Sequence, residues 1–123
     1  MVLADTSVWI WFLRNREPYA GHLDALLDSE EVVGHDLVYG ELLIGDPGGN
    51  RQLLADYNRL PRIALIPHGE VVDFVRAHKL YGQGIGWTDA HLLASARVAG
   101  VELWTADDAL ARAARKLALA HQQ

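Results

Sequence analysis

The chain has 123 residues, of which 50% are hydrophobic and 22% charged. This balance describes one globular domain, neither a disordered chain nor a membrane protein with an apolar span of ~20 residues. Cysteine is absent, which excludes disulfides, thiolate zinc sites and thiol catalysis and is typical of the reducing cytoplasm. A net charge of −5 counts against binding to nucleic acid through a broad basic surface.

Short apolar strands alternate with helices along the chain. Strands are predicted at 1–4, 31–34, 63–66 and 101–105. The first helix is predicted from about Val8, with Thr6-Ser7 as its cap. Further helices are predicted at 19–28, 37–44, 51–60, 69–80, 88–99 and 107–119, and Asp36 is the predicted cap of the helix at 37–44. Alternation without hairpin signals indicates a parallel sheet covered on both faces, so we predict one three-layer α/β/α domain over residues 1–123.

Two aspartates follow predicted strands. Asp5 ends the first strand, and Asp107 stands just past the last. In open α/β sheets, functional sites gather at the carboxyl ends of the strands, which favours a site here. Aspartate is also a common helix N-cap, so capping alone is an alternative explanation for both residues.

Helical spacing separates acids that point toward the core from acids that face solvent, because residues three, four and seven positions apart share a face. By this rule Asp89 and Asp107 stand on apolar faces, whereas Asp108 faces solvent, where it can pair with Arg112. Glu41 lies in the middle of an apolar face, without a basic residue in its own helix. We therefore predict that Glu41 is buried, at a cost of several kcal/mol unless a partner comes from elsewhere.

Four carboxylates from separate segments are thus predicted to point inward: Asp5, Glu41, Asp89 and Asp107. If they converge, their mutual repulsion raises their pKa values or requires a divalent cation. Oxygen ligands without cysteine or a histidine pair favour Mg²⁺ or Mn²⁺ over zinc. Such a site activates water and stabilises charge on a phosphoryl group, as in metal-dependent nucleases.

Four motifs resemble those of the PIN-domain family, and within it the VapC-type ribonuclease toxins of prokaryotic toxin–antitoxin pairs. The first motif is an aspartate followed by Thr/Ser and apolar residues (DTSVWI, 5–10). The second motif has a glutamate in the middle of a helix (VYGELLIG, 38–45). An aspartate heads the alanine-rich third (TDAHLLASA, 88–96), and a strand ending in Thr-x-Asp forms the fourth (LWTAD, 103–107). Each motif alone is weak, but four in this order are specific and span essentially the whole chain.

The resemblance implies a PIN-like fold and hydrolysis of RNA phosphodiester bonds by a ribonuclease that uses Mg²⁺ or Mn²⁺. In such an enzyme Asp5, Asp89 and Asp107 would ligate the metal ion, and Glu41 would bind it directly or through water. All four acids would then count as catalytic residues.

The resemblance also implies roles outside the metal ligands. Ser7 and Thr105 would orient carboxylates through their hydroxyl groups, with simple helix capping as the alternative. Arg14 and Arg16, close after the first motif, are the basic residues best placed to face RNA. A cognate antitoxin and a homodimer are the implied protein partners, and the first helix, apolar all round, is either buried or covered by one of them.

Two other functions remain open. A phosphoacceptor signalling domain also gathers acids at a parallel sheet, but here Asp5 stands alone after its strand and no lysine follows the last strand. A PIN-like binding domain without activity would keep the fold, but the complete set of four acids argues against it.

Assigning these four acids to one site leaves a formal charge of −1 on the rest of the chain, so the net charge does not exclude RNA as a substrate. The roles of His91 and Asp108 are not fixed by the sequence.

Overall fold

Three short parallel strands lie at the centre of the fold in a computed structural model that describes residues 1–122. The strands are β1 (Val2–Ala4), β2 (Val32–Val33) and β3 (Glu102–Trp104). Within the described residues the helices are α1 (Thr6–Leu13), α2 (Tyr19–Asp28), α3 (Asp36–Gly45), α4 (Arg51–Tyr57), α5 (His68–Ala77), α6 (Trp87–Ala99) and α7 (Asp108–Lys116). This is the α/β/α arrangement that the alternation of strands and helices predicts.

The central strand β1 pairs in parallel with β2 on one side and β3 on the other. Val2 lies opposite both Val32 and Glu102, and Ala4 lies opposite Trp104. Every strand residue except Glu102 is buried, as expected for short parallel strands covered on both faces. Because the strands run in one direction, the residues that follow them meet at one edge of the sheet.

The C-terminal segment 119–121 extends the sheet beyond β3. The Leu103 N–H donates to the Leu119 carbonyl at 2.7 Å, and the His121 N–H donates to the Leu103 carbonyl at 3.0 Å. Leu103 and Ala120 form an isolated parallel bridge. The outer edge of β3 is therefore paired with the chain's own C-terminal segment.

The strand predicted at 63–66 is wrong. The isolated bridge to Gly34 is formed by Arg62, just before the segment; the Ile63 N–H donates to the Gly34 carbonyl at 3.0 Å, and Leu65 is exposed. Apolar composition alone favoured a strand, but the two prolines that bound the segment, Pro61 and Pro67, lack the N–H groups of a continuing ladder. The sheet therefore has three strands within residues 1–122.

The caps predicted for α1 and α3 are also wrong. In α1 the cap is Asp5, whose Oδ1 accepts the Val8 N–H at 3.2 Å, so Thr6 and Ser7 lie inside the helix. In α3 the cap is a histidine, one residue before the predicted aspartate. A ring nitrogen and a carboxylate accept the free N–H groups of a first turn equally well, and the sequence pattern does not separate them.

The cap of α3 belongs to a buried polar network. His35 is fully buried, and its Nδ1 accepts the Leu37 N–H at 3.0 Å, which leaves Nε2–H to donate to Ser95 Oγ at 2.9 Å. The Tyr57 hydroxyl accepts the His35 N–H at 2.9 Å and donates to the His35 carbonyl at 3.4 Å. Burial lowers the pKa of His35 to about 4, so this ring is neutral at pH 7.

Helix α4 ends three residues earlier than predicted, and so do α5 and α7. The residues after them include Lys79 with φ of 53° and Ala118 with φ of 57°. A left-handed residue cannot continue a right-handed helix, so the chain turns away there. Within residues 1–122 no helix has the length and apolar content to cross a membrane.

Candidate active site

Three of the four predicted acids stand at helix N-termini. Asp5 and Asp107 are the N-caps of α1 and α7, and Asp89 lies in the first turn of α6. The positive ends of these helix dipoles favour negative charge at all three positions. Capping, the alternative left open by the sequence, therefore applies to Asp5 and Asp107. It does not exclude a second role, because a capping carboxylate keeps further lone pairs.

Asp5 is buried and held by hydrogen bonds at both carboxylate oxygens. Its Oδ1 accepts the Ser7 hydroxyl at 2.5 Å and the Val8 N–H at 3.2 Å. Its Oδ2 accepts the Thr105 hydroxyl at 2.5 Å. Two donors fill the lone pairs of Oδ1, whereas Oδ2 keeps one lone pair beyond its bond to Thr105.

Ser7 and Thr105 link Asp5 to the loop between β3 and α7. Ser7 Oγ accepts the Ala106 N–H at 3.0 Å, and Thr105 Oγ1 accepts the Asp107 N–H at 3.0 Å. Each hydroxyl therefore accepts from the loop backbone and donates to the buried carboxylate. The structure places both side chains against Asp5, and neither is the cap of a helix.

The acids are close enough to repel one another. Burial raises the pKa of the Asp5 carboxyl above its ordinary value, and the charge of Asp89 raises it further, against the three hydrogen bonds that lower it. Burial also raises the pKa of Asp89, which the Gly86 N–H lowers and the charges of Asp107 and Glu41 raise. Asp89 is therefore the acid whose charge interacts with each of the other three.

Glu41 is exposed, which corrects the prediction that it is buried. Its apolar neighbours in α3 are split between core and solvent: Val38 is fully buried, whereas Ile44 is 88% exposed. An apolar face does not have to be buried, so helical spacing misjudged this side chain. Glu41 Oε1 nevertheless accepts the Thr6 hydroxyl at 2.5 Å, which fixes the carboxylate against α1.

Asp107 is exposed as well, because it precedes α7 as its cap and is not a member of an apolar helical face. Its Oδ2 accepts the Leu110 N–H at 2.9 Å. Asp108 is exposed as predicted, but within the described residues it forms no ion pair with Arg112. The spacing rule failed for Asp107 because it holds only inside the helix.

The donor set fits a hard divalent cation. All four side chains offer carboxylate oxygens, and across residues 1–122 none of them forms an ion pair with a basic residue. Their repulsion is therefore not offset by a protein cation, and oxygen donors suit Mg²⁺ or Mn²⁺. In the described part of the chain no group of three or more His, Asp or Glu side chains is arranged to hold an ion. The acids are thus neighbours, not a closed set of ligands.

A groove of about 230 Å³ runs beside Glu41 between α1, α3 and α4. Its wall includes Thr6 and Arg14 together with apolar residues. Arg14 and Arg16 both lie over the Trp11 ring, with guanidinium carbons 5.6 and 4.7 Å from its centroid. The two predicted basic residues are therefore held together at the end of the helix that carries Asp5.

Two contacts near the acids escaped sequence reasoning. The Thr6 bond to Glu41 joins residues 35 positions apart, and only the membership of Thr6 in the first motif pointed to it. His91 is buried against Trp87, with ring centroids 5.1 Å apart, and among residues 1–122 its Nδ1 has no hydrogen-bond partner. The side-chain placement of His91 is thus defined, although its role is not.

A parallel sheet between helices, with Asp5 and Asp107 just past the ends of β1 and β3, is the arrangement that the resemblance to PIN domains predicts. The family model described as PIN domain matches residues 2–116. The chain therefore belongs to the PIN-domain family.

Comparisons with individual proteins agree with the family assignment. The chain is 39% identical over 111 residues to Ribonuclease VapC32 of two strains of Mycobacterium tuberculosis, a match that covers 89% of this chain and 87% of the relative. Within the family, the chain is of the VapC type. It is also similar to the crystal structure of PAE2754 from Pyrobaculum aerophilum, with a TM-score of 0.60 and 18% identity over 91% of this chain and 84% of that one. At this identity the second likeness shows the fold alone.

Proposed function

We propose that this chain is the toxin of a toxin–antitoxin pair and an endoribonuclease that hydrolyses RNA phosphodiester bonds with Mg²⁺ or Mn²⁺. The observation that carries the proposal is the charge interaction of Asp89 with Asp5, Glu41 and Asp107, none of which has a basic partner in the described residues. The 39% identity to Ribonuclease VapC32 supports the ribonuclease activity.

The acids have distinct roles in this proposal. Asp5, Asp89 and Asp107 would hold the cation, and Glu41 would bind it directly or through water. A bound divalent cation lowers the pKa of water and stabilises the charge that develops on the phosphate during hydrolysis. The fixed Thr6 contact keeps Glu41 at the exposed side of the site, where RNA arrives.

Ser7 and Thr105 position Asp5. Their two short hydrogen bonds fix its carboxylate and leave one Oδ2 lone pair for a cation. Groups that orient a metal ligand in this way contribute about 10–100-fold to metal affinity or activity.

Partners follow from the surface around the acids. Arg14 lines the groove beside Glu41, Arg16 lies over the same Trp11 ring, and both would contact RNA phosphates. An antitoxin that offers a basic side chain suits the acidic site. Ile10 and Leu13 of α1 are partly exposed apolar residues that an antitoxin or a second copy in a homodimer would cover. Such a pair would act in the cytoplasm, where RNA is synthesised.

The test compares an acid of the proposed site with an exposed acid outside it. Asp89→Asn removes a charge from the centre of the site, and Asp108→Asn removes an exposed charge beside it. Cleavage of labelled RNA in Mn²⁺ should fall at least about a hundredfold in Asp89→Asn, and stay within about twofold of the parent in Asp108→Asn. Chelation of the metal should abolish cleavage.

Equal cleavage by Asp89→Asn and the parent chain would refute the assigned site. Absence of both cleavage and Mn²⁺ binding in the parent chain, measured by calorimetry, would instead identify an inactive PIN-like binding domain. Transfer of phosphate from a small donor to the chain would favour the phosphoacceptor alternative.

A further inference from the structure

Two histidines from opposite ends of the chain meet where the C-terminal segment crosses α2. His22 Nε2 and His121 Nε2 are 2.8 Å apart. Their rings are nearly parallel, with centroids 5.1 Å apart and an angle of 22° between planes. The two Nε2 atoms thus lie at hydrogen-bond distance from each other.

Glu102 orients one of these rings. Its Oε1 lies 2.8 Å from His121 Nδ1, so the carboxylate holds the ring proton on Nδ1 and leaves the Nε2 lone pair of His121 directed at His22. In the metal-free protein His22 donates its Nε2–H to that lone pair. A carboxylate on the far nitrogen of a histidine is the arrangement that fixes metal-ligating imidazoles.

The pair is held by its surroundings. The buried Trp104 ring packs against His22 with centroids 4.8 Å apart and against His121 at 5.5 Å, while Tyr19 stacks on it at 5.9 Å. The His121 side chain is only 11% exposed. Little rotamer freedom is left to lose when the pair binds a ligand.

We propose that His22 and His121 bind a divalent late transition-metal ion, Ni²⁺ or Cu²⁺, through their Nε2 atoms. On binding, the ring proton of His22 moves to Nδ1, which frees its Nε2 lone pair. The 2.8 Å between the nitrogens is a hydrogen-bond distance in the metal-free protein, and small turns of the rings direct both lone pairs at one ion; the choice of Ni²⁺ or Cu²⁺ rests on the affinity of these ions for imidazole. Waters complete the coordination. The bound ion ties the C-terminal segment to α2.

This site differs from the acidic site in chemistry. Imidazole nitrogens select Ni²⁺ and Cu²⁺, whereas carboxylate oxygens select Mg²⁺ and Mn²⁺. Titration of the full chain without a polyhistidine tag, by calorimetry with Ni²⁺ in excess Mg²⁺, therefore isolates the histidine pair. The Mg²⁺ occupies the carboxylates.

The parent chain should bind one equivalent of Ni²⁺, and His22→Gln and His121→Gln should each weaken that binding at least about tenfold. Glu102→Gln, which retains both ligands, should weaken it by about 10–100-fold. The matched control is His78→Gln, because His78 is an exposed histidine at the end of α5, and it should leave the isotherm unchanged.

A second measurement does not depend on affinity. Electron paramagnetic resonance of the Cu²⁺-loaded parent should show two imidazole nitrogens on the ion, and one in His121→Gln. Absence of Ni²⁺ binding in the parent, or the same isotherm in His22→Gln and His121→Gln as in the parent, would overturn the proposal and leave a hydrogen-bonded pair only.

Discussion

The carboxyl ends of β1 and β2 carry two buried polar groups of opposite character. Asp5, after β1, is hydrogen-bonded at both oxygens, yet burial and the charge of Asp89 raise its pKa. His35, after β2, is neutral, and both of its ring nitrogens have a partner. A neutral, fully hydrogen-bonded group stabilises the fold, whereas gathered charges oppose it. The same edge of the sheet thus holds one group suited to stability and one suited to chemistry.

The largest expected effect is the loss of the His35 network. His35→Ala removes the cap of α3 and the bond to Ser95, and it opens a cavity in the core. The free energy of unfolding should fall by about 3–4 kcal/mol in urea denaturation. RNA cleavage per folded molecule should be unchanged. A loss below about 1 kcal/mol would show that His35 is not a stabilising group.

The stability of the protein is expected to depend on pH in opposite directions through His35 and through the acids of the site. Between pH 6.5 and about 4 the unfolded chain protonates a histidine that buried His35 leaves neutral, so stability falls as the pH falls, by up to about 3 kcal/mol. Asp5 and Asp89 act in the opposite direction. Their pKa values in the folded chain are raised above the ordinary value of 3.8. As the pH rises above 3.8 the unfolded chain loses protons that the folded chain still holds, so the contribution of these two acids to stability falls.

Urea denaturation of the parent, His35→Asn and Asp5→Asn from pH 4 to 7 measures both contributions. Asn keeps an oxygen that can cap α3 but does not titrate. The rise of stability with pH should flatten in His35→Asn and steepen in Asp5→Asn. Parallel curves for all three chains would contradict the assignment.

A smaller effect is expected for the hydroxyl groups around Asp5. Thr105→Val removes the donor to Oδ2, and should cost about 1 kcal/mol of stability and about 10–100-fold in cleavage. Because this bond lowers the pKa of Asp5, its loss should also move the acidic limb of the pH–rate profile to higher pH. Ser29→Ala, at the exposed end of α2, is the control. An unshifted profile in Thr105→Val would show that the hydroxyl does not act through Asp5.

Local sequence features predicted much of the fold and site. Asp5 and Asp107 were recognised because each follows a strand and precedes a helix, and both features lie within a few residues. The strand predicted at 63–66 failed because strand pairing depends on distant partners, which composition does not reveal. Glu41 was judged from an apolar face of which only one part, at Val38, lies in the core, while Ile44 faces solvent. The His22–His121 pair spans 99 positions and leaves no local pattern.

Asp5→Asn tests the central claim most directly when RNA cleavage and the free energy of unfolding are measured on the same preparation at pH 7. The substitution removes a buried charge that Asp89 repels and keeps an oxygen that can cap α1. Cleavage should fall at least about a hundredfold, while stability stays within about 1 kcal/mol of the parent or rises. Retained cleavage would show that Asp5 serves the fold and not the reaction, and a stability loss of more than about 2 kcal/mol would contradict the repulsion assigned to its charge.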